Sequence, residues 1–164
     1  MFRFRPGQRD DACLACAQAR PSRQNRAAAA MKHTLQRPTF SVLINNYNYG
    51  RFVARAVESS LAQADVDAEV IVVDDGSSDH SRTVLEDYSG RAKIILQDNQ
   101  GQAAAVNAGV KASRGDILCF LDADDWWAPG KLSAIAEVFQ SDPRVELAYH
   151  RLQPVLNHKT QTRL

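Results

Sequence analysis

Between residues 40 and 150, short apolar runs alternate with longer stretches in which apolar positions recur every three or four residues. Phe40-Ser41-Val42-Leu43-Ile44 reads as a strand, ending in a loop of turn-forming residues, Asn45-Asn46-Tyr47-Asn48-Tyr49-Gly50. Phe52, Val53, Ala56, Val57, Ser60, Leu61 and Ala64 then keep helical spacing, which predicts an amphipathic helix over residues 51–64. Glu69-Val70-Ile71-Val72-Val73 is a second strand, followed by Asp74-Asp75-Gly76-Ser77-Ser78-Asp79, where Ser78 or Asp79 can cap a helix running to Tyr88. Residues 93–96 form a third strand, residues 102–112 an alanine-rich helix, and residues 117–121 a fourth strand of five apolar residues. Pro129 sits near the start of a last helix over residues 131–140, and residues 145–149 predict a fifth strand.

Strands alternating with helices predict an α/β fold, a mostly parallel open sheet with helices on both faces. In such a sheet every strand-to-helix loop opens on the same edge, where ligands of open α/β sheets bind. That geometry gathers Asn46-Tyr47, Asp74-Asp75, Asn99-Gln100-Gly101 and Asp122-Ala123-Asp124-Asp125 on one rim. Three carboxylates within four positions repel one another unless a cation sits among them. A hard divalent ion such as Mg²⁺ takes one or two carboxylates and completes its shell with waters and phosphate oxygens.

Composition narrows the picture only a little. The 164 residues suit one core, and Lys plus Arg (20) nearly balance Asp plus Glu (19), so no overall field points to nucleic acid. No apolar run approaches the roughly 20 residues that span a bilayer. Of three cysteines, Cys119 lies inside an apolar strand, which fits a reducing compartment better than a disulfide framework. Cys13-x-x-Cys16 lacks the further ligands zinc needs and the preceding strand of a thioredoxin-like motif. Residues 1–30 are rich in arginine and alanine and poor in large apolar side chains, and Asp10 and Asp11 weaken a transit-peptide reading. The expected organisation is a disordered or mis-assigned extension over 1–37, with Met31 as the natural start, a folded domain over 38–150, and a tail or the start of a missing half over 151–164.

Three α/β chemistries fit poorly. The turn after Ile44 holds only Gly50, not the glycine pattern of a dinucleotide fold. A haloacid-type phosphatase carries Asp-x-Asp after its first strand rather than its fourth. A response-regulator receiver needs an acceptor Asp and a later Lys that are absent at the matching positions.

Four motifs in order, Ser41-Val42-Leu43-Ile44-x-x-Tyr47-Asn48, Val72-Val73-Asp74-Asp75-Gly76-Ser77-Ser78-Asp79, Gly101-x-x-x-Ala105-x-Asn107-x-Gly109 and Phe120-Leu121-Asp122-Ala123-Asp124-Asp125, resemble the family 2 inverting glycosyltransferases of the GT-A fold. The resemblance covers residues 39–149, the N-terminal nucleotide-sugar-binding half of that family. It implies sugar transfer from a nucleotide diphosphate donor, usually a UDP-sugar, to a saccharide or lipid-linked acceptor in cell-wall or polysaccharide biosynthesis. Tyr47 would lie against the base, with Asn46 beside it, and Asp75 would accept the uracil N3–H. Asp74 would order the loop or touch the ribose, and Gly101 to Gly109 would bring backbone close to the donor, with Asn107 fixing that loop. Asp124 would meet ribose, sugar or metal, Asp122 would support it, and Asp125 would hold Mg²⁺ or Mn²⁺.

The pattern departs from the family in three places. Asn45-Asn46 stands where a Pro-Thr pair is common, and Val106 where an Arg often stands. No general base is assignable after Asp125, although inverting transfer needs one. The competing expectation is therefore a truncated, non-catalytic domain that binds nucleotide diphosphate and metal. A cytoplasmic site of action, at the inner membrane face for a lipid-linked acceptor, is expected, as is self-association through surface a missing half would cover.

Overall fold

The computed structural model describes residues 1–3, 37–150 and 153. Five strands, β1 (Phe2–Arg3), β2 (Phe40–Asn46), β3 (Ala68–Asp75), β4 (Lys93–Gln97) and β5 (Ile117–Asp122), form one sheet in the order β1-β5-β2-β3-β4. β2 to β5 run parallel, and β1 pairs antiparallel with β5 through Phe2–Leu118 and Arg3–Ile117. The helices among the described residues are α1 (Val53–Leu61), α2 (Ser81–Glu86), α3 (Gln102–Ala112) and α4 (Lys131–Ser141).

Alternation along the strands feeds two cores. Val42, Ile44, Val70, Val72, Ile117, Cys119 and Leu121 pack against α1, α2 and α4 on one face. Leu43, Ile71, Val73 and Leu118 point the other way and pack with Ala105 of α3. β2 and β3 are thus buried on both faces, as unbroken apolar runs in parallel sheets require. Burial pushes the Cys119 thiol up to about 12, so it is an inert core group.

Gly109 shows how closely α3 sits on the sheet. A Cβ there would meet Leu43 Cδ2 at 3.3 Å and Val73 Cγ2 at 3.5 Å. This glycine serves helix–sheet packing, a correction to the expectation that it brings backbone to a ligand.

Two elements differ from expectation. Residues 145–149 do not make a strand; Leu147 is a single bridge residue, and Ala148 exchanges hydrogen bonds with Met1. With Leu147 52% and Tyr149 90% exposed, this segment buries no face that would hold a strand in the sheet. Conversely, β1 comes from the segment expected to form nothing. It covers part of the β5 edge, whose free N–H and C=O groups otherwise invite pairing. The Cys13 and Cys16 pair, the Met31 start and the expected tail over 151–164 lie outside the described residues, apart from Gln153. No described helix is long and apolar enough to cross a membrane.

Candidate functional site

The four parallel strands end in Asp122, Asn46, Asp75 and Gln97, read across the sheet from β5 to β4. Parallel strands lie roughly 4.8 Å apart, so β5 and β3 are separated by about 10 Å and β5 and β4 by about 14 Å. The rim therefore has an acidic end after β5 and a second polar end at β3 and β4.

At the β3–β4 end, Asp75 is 4% exposed and accepts three hydrogen bonds. Its Oδ1 takes the Gln97 Nε2–H at 2.7 Å and the Gln100 N–H at 2.9 Å, and its Oδ2 takes the Gly101 N–H at 2.8 Å. Burial by itself would raise its pKa, but the Gln100, Gln97 and Gly101 donors outweigh it and hold the carboxyl below the ordinary Asp range. One lone pair of Oδ2 remains for a ligand. Gly101 starts α3 with φ at 87°, a conformation glycine adopts at little cost.

Asp74 and Asn46 sit deeper, 0% and 1% exposed. Asp74 accepts from Asn46 Nδ2 at 2.8 Å, the Ser77 N–H at 3.1 Å and Arg82 Nε at 3.0 Å. Burial opposes ionisation there too, and the Ser77, Arg82 and Asn46 donors overcome it, lowering the pKa. These two side chains tie β2 to the β3–α2 loop and do not present themselves at the surface. The Asn46 amide nitrogen is committed to Asp74 and Ser77, while its Oδ1 is buried without a hydrogen-bond partner among the described residues. Asp74 orders the loop through its bonds to Asn46, Ser77 and Arg82.

Asn48, in the left-handed region at φ 59°, completes the clamp. Its Oδ1 accepts from Ser78 N at 2.8 Å and Asp79 N at 3.2 Å, while its own N–H donates to Ser77 Oγ at 2.9 Å. Asp79 accepts the Gly50 N–H at 2.9 Å and the Ser81 N–H, at the start of α2, also at 2.9 Å. Between these ties Tyr47 stands 47% exposed, a ring available to stack.

The acidic end is built differently. Ala123 (3% exposed) and Trp127 (6%) anchor the turn in the core, and Asp122, Asp124 and Asp125 point outward around an Asp125 N–H to Asp122 O bond of 3.0 Å. The segment that follows is pinned to α1: Trp127 N–H donates to Ser59 Oγ at 3.1 Å, and the Arg55 guanidinium lies 3.2 Å from the Trp126 ring centroid. Gln63 bridges Ala128 O and the Leu132 N–H, both at 3.1 Å. Partial burial, then repulsion from Asp124 and Asp122, raises the Asp125 pKa despite the counteracting His150.

No group of three His, Cys, Asp or Glu side chains among the described residues is arranged to hold a metal. Two neighbouring carboxylates whose repulsion a cation would relieve nonetheless fit the sparse protein coordination that suits Mg²⁺ with a phosphate ligand. Asn107 departs from expectation. Its side chain is exposed on α3 without a hydrogen-bond partner among the described residues, and Asp75 holds the Gln97–Gly101 loop. Gln97, Asn48 and Arg82 were missed as site residues. Their signal was positional: Gln97 ends β4, Asn48 lies two residues past β2, and Arg82 is in the first turn of the helix that follows β3.

Residues 41–161 match glycosyl transferase family 2, past Tyr149, where the motif resemblance stops. An uncharacterized glycosyltransferase of Nostoc sp. is 49% identical over 114 residues, 67% of this chain and 35% of the relative. Chondroitin synthase of Escherichia coli is 34% identical over 120 residues, 71% of this chain and 18% of the relative. The crystal structure of S. aureus TarS 1-349 in complex with UDP-GlcNAc superposes with a TM-score of 0.56 at 25% identity, covering 63% of this chain and 31% of that one. The chain spans about a third or less of the curated relatives it matches. With its parallel GT-A sheet and the family match over most of its length, the chain belongs to glycosyl transferase family 2.

Proposed function

We propose that this chain is the donor-binding part of an inverting glycosyltransferase that takes a sugar from a nucleotide diphosphate, a UDP-sugar first, to a saccharide or lipid-linked acceptor. The observation carrying this reading is the sheet edge itself, with Asp75 and Asp122–Asp125 at two ends about 10 Å apart. A nucleoside diphosphate bridges such a gap, with its base at β3 and its phosphates at β5. The TarS complex with UDP-GlcNAc supports the choice of ligand.

In this reading Tyr47 offers a ring face to the base, and Asp75 accepts the uracil N3–H in a charge-assisted hydrogen bond. Asn46 and Asp74 hold the two loops that carry those groups. Asp122 and Asp124 face the ribose and sugar, and Asp125, with Asp124, would hold Mg²⁺ or Mn²⁺. That cation, when bound, supplies Lewis-acid stabilisation for the charge on the leaving diphosphate. The acceptor hydroxyl must also lose a proton to a base. Asp74 and Asp75 are poorly suited, because hydrogen-bond donors stabilise their ionised forms. Asp125 is assigned to the cation, so none of these carboxylates is given the base role.

The test is calorimetric titration of the chain with UDP, with and without Mn²⁺. Binding should tighten by about tenfold or more with the metal, a gain of ~1.4 kcal/mol, and Asp125→Ala should abolish that gain. Equal UDP affinity in the presence and absence of Mn²⁺, or an unaffected Asp125→Ala variant, overturns the assignment.

A further inference from the structure

The β3–β4 end holds a feature the family motifs do not include. Gln97, the last residue of β4, is paired in register with Asp75 and half-buried beside it. Its amide nitrogen lies 2.7 Å from Asp75 Oδ1. A carboxylate only accepts, so the bond fixes which end of the amide faces Asp75: the nitrogen must. Flipping the amide would set its oxygen against the carboxylate. The carboxylate is itself held by the Gln100 and Gly101 N–H groups, so acceptor and amide share a locked geometry before any ligand arrives.

We propose that Asp75 and Gln97 together read the base edge, selecting an N–H flanked by a carbonyl: uracil or thymine (N3–H and O4) or guanine (N1–H and O6). The inference rests on reading this edge as a nucleotide site. Asp75 Oδ2 takes the ring N–H through its unused lone pair. The second N–H of the Gln97 amide, the one not given to Asp75, donates to the neighbouring carbonyl. Cytosine and adenine present the opposite edge, a bare ring nitrogen beside an amino group. Acceptor then faces acceptor and donor faces donor, and the locked amide cannot turn to accommodate them. A buried polar site rejects such a ligand strongly because its own groups are left unpaired.

The test compares UDP, GDP, CDP and ADP binding to the full chain in Mn²⁺. UDP should bind about tenfold or more tighter than CDP or ADP, on the basis of one charge-assisted hydrogen bond lost. GDP sides with UDP if the space beside Asp75 admits a purine, and thymidine diphosphate tracks UDP. Gln97→Met, similar in shape but without the donor, should cut the UDP-to-CDP preference several-fold, by weakening UDP binding and by relieving the donor-to-donor clash with CDP. A ligand-side probe avoids any folding defect of the variant: 4-thio-UDP, whose sulfur accepts hydrogen bonds poorly, should bind the unmodified chain several-fold more weakly than UDP. UDP and CDP binding alike, with metal-dependent affinity intact, overturns the edge-reading and leaves the nucleotide site standing. So does an unchanged preference in Gln97→Met together with equal affinity for 4-thio-UDP and UDP. Loss of all metal-dependent nucleotide binding removes the nucleotide reading itself, and the inference with it.

Discussion

The two ends of the rim solve the problem of concentrated carboxylates in opposite ways. At the β3 end, Asp74 and Asp75 are buried, yet each accepts three hydrogen bonds and has a lowered pKa. At the β5 end, Asp122, Asp124 and Asp125 are exposed, and Asp125 has a raised pKa, first from partial burial and then from its negative neighbours Asp124 and Asp122. The first set already has its partners in the protein, so its charges are part of what holds the loops together. The second is under mutual repulsion that a ligand would relieve. Acidic residues alike in sequence therefore divide into structure and unsatisfied charge, and the division is set by which backbone N–H groups converge on them.

This contrast breaks if the β3 end proves dispensable for stability. Asp75→Ala removes the acceptor of two backbone N–H groups and one side-chain amide at once. An unpaired buried donor costs about 1–3 kcal/mol, with water reaching the exposed Gln100 and Gly101 and recovering part of that. A net loss of about 3 kcal/mol is expected in urea unfolding, accompanied by loss of UDP binding. A change below about 1 kcal/mol would show that the loop is held by other means. The pH dependence follows from the same bonds. Asp75 has its folded pKa below the unfolded value, so its stabilisation is present above about pH 4 and is lost as pH falls through the depressed folded value. Asp75→Ala should therefore flatten the acid limb of the stability curve.

A smaller effect is expected where the β2 loop is clamped to the β3 loop. Asn48→Ala forfeits the Oδ1 contacts to Ser78 and Asp79 and places a less tolerant residue at φ 59°. The expected cost is about 2 kcal/mol. Asn48→Gly, which adopts that φ freely but lacks the acceptor, should lose about half as much. If both variants lose the same amount, backbone strain contributes nothing and the hydrogen bonds account for the whole cost. With the loop loosened, Tyr47 should also protect UDP less well, and the UDP affinity of both variants should fall.

The apolar runs made β2, β3 and β5 legible because a largely buried strand has few alternatives in sequence, whereas β4, with no fully buried residue, was legible from its β-prone Ile94-Ile95-Leu96 run. The rim followed from topology, since parallel strands deliver their loops to one edge. What escaped was set by contacts between residues distant in sequence. Nothing local distinguishes Asp74, turned inward by Asn46 and Arg82, from Asp122, turned to solvent. Gln97 fell just past the strand expected over 93–96, and only its register with Asp75 gives it meaning. Asn107 and Gly109 stood out as motif positions, while what the fold shows of them is that Gly109 packs on the sheet and the Asn107 side chain makes no hydrogen bond among the described residues. The strand expected over 145–149 failed because, among the described residues, only Val145 and Ala148 of it pack against the core and its long-range backbone pairing is with Met1.

The smallest effect on stability is expected at Asp125, and its sign carries the most information. The folded pKa of Asp125 is raised, so between the unfolded and folded values the native state binds the proton more tightly. Ionised Asp125 then works against folding above that window, and the repulsion eases as pH falls through the folded value. At neutral pH without metal, Asp125→Asn should leave stability unchanged or slightly higher, the reverse of Asp75→Ala. The advantage of the variant should shrink as pH drops through the raised pKa, because the parent then carries a neutral group there too. Saturating Mn²⁺ together with UDP reverses the order. The parent gains stability by mass action, since the ligands bind only the folded state, whereas Asp125→Asn gains little. Thermal unfolding of both proteins with and without those ligands, from neutral pH down through the acid range, reads the whole pattern. A variant less stable than the parent without metal would mean that Asp125 is held by contacts of the kind found at Asp75, and the two ends of the rim would no longer differ in kind.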